Sequence, residues 1–135
     1  MVTPEQLDAI AVKLLGWRLN PEAGGTVCIG ARSYEYSAPY LDADGRPMAI
    51  EHPHPASAMF VLEAMGEWCR ANGMRVEING PAYVPEFNKT KPANWSVTLW
   101  KVAPSGLGAT ASWIESADTP AEVVFACAAE LVERM

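Results

Sequence analysis

Between positions 55 and 79 the hydrophobic period changes abruptly, and that change constrains the fold more than any other stretch of the chain. From Pro55 to Gly73, the residues Ala58, Val61, Leu62, Met65, Trp68 and Cys69 recur at the three- and four-residue intervals of one helix face, while Glu63, Glu67 and Arg70 fall elsewhere. This spacing predicts an amphipathic helix. Asn72-Gly73 supplies a left-handed stop, after which Met74, Val76 and Ile78 alternate with Arg75, Glu77 and Asn79. A helix therefore turns back onto a half-buried strand. At about 1.5 to 3 kcal/mol for each large side chain buried, this unit supplies much of the burial that must offset chain entropy.

The flanking segments carry weaker versions of the same signals. Thr3-Pro4-Glu5-Gln6 offers a capping hydroxyl, a proline at the first helical position and a glutamine three residues after the cap. Leu7, Ile10, Ala11, Leu14 and Leu15 then line one face up to Gly16. Positions 20–25 are turn-rich, and Thr26 to Ile29 and Tyr34 to Tyr36 read as short strands. Positions 41–50 read as a hairpin pivoting on Asp44-Gly45, with Pro47 placing its second strand at an edge. After a long loop over 80–93, Trp95, Val97 and Leu99 alternate with Ser96, Thr98 and Trp100. A partner strand is expected from about Ala109 to Ser116. Thr119-Pro-Ala-Glu122 repeats the opening device of the first helix, ahead of a stripe of Val123, Val124, Cys127, Ala128 and Leu131. Strands joined by short loops and flanked by helices predict a single α+β domain over 1–135, a mainly antiparallel sheet packed with three helices.

Charge and cysteine usage exclude several roles. A net charge of −6 argues against grasping a duplex nucleic acid, which needs a basic stripe. No apolar run approaches the roughly 20 residues of a membrane span, and no basic-then-apolar leader opens the chain. The three cysteines, Cys28, Cys69 and Cys127, are widely spaced and read as reduced thiols. A cytoplasmic protein is expected.

Several of these features together resemble the phage ABA sandwich domain family. They are Leu14-Leu-Gly-Trp17 after the first helix, Asp42-Ala-Asp-Gly45 in a hairpin, a long middle helix after a Pro-bearing segment, the strand at Trp95, and Ala117-Asp-Thr-Pro120 before an Ala-rich last helix. The sequence departs from the family at the approach to the middle helix, where His52-Pro-His-Pro55 stands. The resemblance implies an α-β-α sandwich-like arrangement and a small phage protein working in the cytoplasm of an infected bacterium. It carries over no catalytic residue.

Candidate sites follow from residue chemistry. Tyr34, Tyr36, Phe87 and Trp100 cluster on strands and loops rather than helices, and Trp100 alternates onto the polar strand face, either packed or open as a stacking surface. Lys89 and Lys91 beside Phe87 form the basic clump of the chain, and Arg32 and Arg46 lie near the Tyr-bearing strands. These eight residues are the expected partner- or ligand-binding set. Asp42, Asp44 and Gly45 match part of a calcium loop but suit a turn equally. His52 and His54, with Glu51 and Asp42, offer a metal-dependent hydrolase as the alternative, or else a proline-stiffened loop whose second histidine caps a helix. The leading expectation is a non-enzymatic binding protein needing no cofactor. It would act as a homo-oligomer that inhibits or sequesters a host factor, an anti-defence protein directed at a host immune protein or its nucleotide signal.

Overall fold

The computed structural model describes residues 2–22, 24–80 and 95–135, with positions 25–27 and 34–36 described by their backbone. It is an α+β protein in which, among the described residues, three α-helices accompany three antiparallel sheets. Helix α1 (Pro4–Ala9) opens on a closed capping box: the Gln6 amide donates to Thr3 Oγ1 at 3.2 Å, and the Thr3 amide donates to Gln6 Oε1 at 2.9 Å. The α-helix expected to run on to Gly16 instead widens into a π turn over Ile10–Leu14. The Leu15 amide reaches back to the Ile10 carbonyl and the Trp17 amide to the Ala11 carbonyl. The wider turn leaves Ile10 and Ala11 sealed while Leu14 and Leu15 still touch the core.

Two small sheets follow. Strand β1 (Arg18–Leu19), which carries no period to read, pairs with β4 (Tyr40–Leu41), and β4 pairs with β5 (Pro47–Met48). The turn between β4 and β5 pivots where expected. Asp42 Oδ1 accepts the amides of Asp44 at 2.9 Å and Arg46 at 2.8 Å, and Gly45 takes φ of 79°. Tyr40 pins this sheet to α1, its hydroxyl donating to Asp8 Oδ1 at 2.6 Å and its ring 6.2 Å from that of Trp17. Between β1 and β4, strands β2 (Gly24–Ile29) and β3 (Arg32–Ser37) form a separate hairpin across Gly30-Ala31.

The main sheet has the order β6 (Met74–Asn79), β7 (Trp95–Val102), β8 (Ala109–Ala117). Helix α2 (Pro55–Ala71) lies against β6, and α3 (Pro120–Arg134) against β7 and β8, with the two helices packed on each other. Ala58, Val61, Met65 and Cys69 of α2 meet Val97 and Leu99 of β7, all buried, as the sequence period requires. Met74, Val76 and Ile78 close the same core from β6. Helix α1 and its π turn pack on α2 and α3, so among the described residues the helices gather on one face of the main sheet. Helix α3 exceeds its expected stripe: Phe125, Ala129 and Val132 are buried along with Val123, Val124, Cys127, Ala128 and Leu131. It is the centre of the core, walled by the sheet, α2 and α1.

Candidate functional site

On the main sheet, alternation divides the residues into two faces. Opposite the core, Trp100 sits across from Arg75, and the Arg75 guanidinium lies 5.6 Å from the indole centroid. Arg75 also pairs with Glu77 at 3.7 Å. Trp100 is half-buried and its buried Nε1 has no hydrogen-bond partner among the described residues. Thr98 beside it is only 6% exposed, whereas Ile114, directly opposite Thr98 on β8, is 59% exposed. A bulge at Leu99/Trp100 shifts the register there, so that Trp100 faces Ala111 rather than Ser112. Phe87, Lys89 and Lys91 lie outside the described residues.

Arg32 stands at the tip of the β2–β3 hairpin, paired in register with Ile29, which is 67% exposed. Positions 34 and 36 are paired with positions 27 and 25. Arg46 belongs to a different sheet, at the β4–β5 turn, where it approaches Asp44 at 3.9 Å with both side chains largely in solvent. Such a pair contributes little to stability.

The alternative metal set is not assembled. Among the described residues no three His, Cys, Asp or Glu side chains converge. Asp42 spends one carboxylate oxygen on two turn amides. His54 caps α2, its Nδ1 accepting the Ala56 amide at 3.1 Å, with Nε2 4.0 Å from Glu51. His52 takes a different course. Its ring meets Phe125 edge to face, centroids 4.8 Å apart at 85°, and it lines a cleft.

That cleft, of about 740 Å³, is bounded by Val2 and Gln6 before and in α1, by His52, by Glu115 on β8, and by Glu122 and Ala126 on α3. Glu115 follows Trp113 on the core-facing side of β8, and the Trp113 indole donates to Glu115 Oε2 at 3.0 Å. The other face of that story is Arg134, which lies over the Trp113 ring at 4.8 Å and is engaged with Glu130 at 2.9 Å. Glu122 occupies the third position after the Thr119 cap. Its amide donates to Thr119 Oγ1 at 3.2 Å, but its carboxylate does not return to the Thr119 amide as Gln6 does to Thr3. It lines the cleft instead. Burial holds the His52 pKa below the usual imidazole value, opposed by the Glu122 carboxylate. Sequence reasoning named His52 but neither Glu115 nor Glu122 as a site residue. The available signal was an acid alternating onto the core side of a strand between Trp113 and Ala117.

Two of the three cysteines are packed in the core. Cys69 and Cys127 are buried, and desolvation pushes the Cys127 thiol up to about 12, while Cys28 is exposed on the hairpin. No helix among the described residues is long and apolar enough to cross a membrane. Comparison of the chain with protein families, with curated proteins and with solved structures finds no match.

Proposed function

We propose that this chain is a binding protein without catalytic chemistry of its own, which holds a host factor through the β2–β3 hairpin and the Trp100 face of the main sheet. The observation that carries the reading is the hairpin. It has six paired positions in each strand, none of its described side chains belongs to the core cluster, and Ile29 and Arg32 stand exposed at its tip. An isolated two-stranded hairpin is marginal in water, so one whose strands pair with no further strand among the described residues is suited to being covered by a partner. An exposed aliphatic beside an arginine is suited to an interface anchor.

The resemblance to the phage ABA sandwich domain family supplies the setting of this proposal. In that setting the host factor is a bacterial protein, such as an immune protein, or its nucleotide signal, and the chain works as a homo-oligomer. A protein partner makes the smaller demand on residues, because phosphates want several converging cationic donors and only ten Lys and Arg are present in all. The test compares the wild type with an Ile29→Ser, Arg32→Glu double variant by size exclusion and by capture from bacterial lysate. The wild type should elute as an oligomer or retain a defined host protein or nucleotide, and the variant should lose it. A wild-type monomer that retains neither would sink the proposal.

A further inference from the structure

The cleft beside His52 plays no part in that reading, and its shape and chemistry call for an occupant of their own. Its volume of about 740 Å³ lies within the roughly 300 to 1,000 Å³ typical of small-molecule sites. The space exists because Ala117, Ala126 and Ala129 line it where larger side chains would fill it. We propose that this cleft binds a small organic cation, a protonated amine or guanidinium carried on a short apolar body.

Three features select that ligand class. First, Glu115 and Glu122 bring acidic residues to one cavity from different elements, and among the described residues no Lys or Arg lines it. Among the described residues neither acid has a cationic partner, the nearby Arg134 being engaged with Glu130, Ser112 and the Trp113 ring. Second, each acid is held for the purpose. Trp113 fixes one oxygen of Glu115 and leaves the other, and Glu122 forgoes the closed capping box that the chain does build at α1. Third, His52 is kept from becoming a competing cation: its ring is set against Phe125 and burial favours the neutral form, so it offers a polar atom without charge. Anions are repelled by the two acids. A bare metal ion finds no group of three ligands among the described residues, whereas an ammonium or guanidinium uses separated carboxylates and its stem uses the alanine wall.

The test titrates the intact protein with agmatine and with benzylammonium by calorimetry, with adenosine monophosphate as the anionic control. One site should saturate with either cation below about 10 mM, and the nucleotide should give no signal. Glu122→Gln and Glu115→Gln should each weaken binding about tenfold, the loss expected of one charge-assisted contact. Ala126→Leu should abolish it by filling the floor. Because the Gln variants change little volume, they remain informative if Ala126→Leu fails to fold. Absence of binding for both cations at about 10 mM, affinity unchanged from wild type in both Gln variants, or equal binding of the nucleotide would each overturn the proposal.

Discussion

His52 shows how one residue's surroundings set a property of the whole protein. Its imidazole is desolvated against Phe125, and its pKa lies below the ordinary value near 6.5 despite the pull of Glu122. The sign follows from linkage. Above about pH 7 the ring is neutral in both folded and unfolded chains and contributes nothing. As pH falls through about 6.5 the unfolded chain takes up a proton that the folded chain resists, so stability declines until the folded value is passed. Urea midpoints measured between pH 7.5 and 5 should therefore fall in the wild type more steeply than in His52→Gln. Glu122→Gln should steepen the fall, since it removes the charge that favours imidazolium. Parallel profiles for wild type and His52→Gln would show that the ring is not desolvated in solution. The histidine pair illustrates why residue roles are hard to read from sequence alone. His52-Pro-His54 places two identical side chains two residues apart, yet one accepts a backbone amide at a helix start and the other faces a cavity built by β8 and α3. Only the local role of His54 could be anticipated from local spacing.

At the scale of elements, legibility tracks the strength of the period. Helix α2 and strand β6 follow the switch from 3.6 to 2 directly, and the Thr3 and Thr119 caps and the Asp44-Gly45 turn form as their residue types demand. Two features escaped for stated physical reasons. A two-residue strand such as β1 has no period at all, and the π turn at Ile10–Leu14 differs from an α-helix only by one residue of hydrogen-bond register. The strands of the β2–β3 hairpin were legible only as short segments, 26–29 and 34–36, from their β-branched and aromatic residues; their pairing across Gly30-Ala31, a glycine-first pair of the kind two-residue turns use, was not read. Gly30 takes φ of 63°, and a Cβ there would meet nothing within 4 Å, so the cost of a side chain is conformational alone. Gly30→Val should destabilise the hairpin by about 1 to 2 kcal/mol. Hydrogen exchange should quicken across positions 24–37 while protection of α3 is unchanged, because none of the hairpin's described side chains joins the core around α3. Loss of α3 protection would mean that the hairpin is part of the cooperative body.

The whole molecule is organised around its last helix. The sequence stripe on α3 was read as one buried face, which fits a helix resting on a sheet. With α1, α2 and the sheet all packed on it, residues on other sides of α3 are sealed as well, and Phe125 is the largest of them. That enclosure depends on contacts from distant parts of the chain, so no local pattern announces it. Phe125→Ala should cost about 3 to 5 kcal/mol, a large share of the roughly 5 to 15 kcal/mol that holds a domain together. Ile114→Ser, at a position 59% exposed, should stay within about 0.5 kcal/mol. Chemical denaturation of the two variants checks both figures, and comparable losses would place the centre of the core elsewhere.

Deep enclosure of α3 also sets an order of events during synthesis. Val61, Met65, Val97 and Leu99 leave the ribosome before the helix that covers them, so their apolar surfaces must wait in water for a partner still being made. Folding is thus held back until translation has passed Pro120–Arg134, and a nascent chain paused ahead of that segment would be a client for chaperones rather than a half-finished domain.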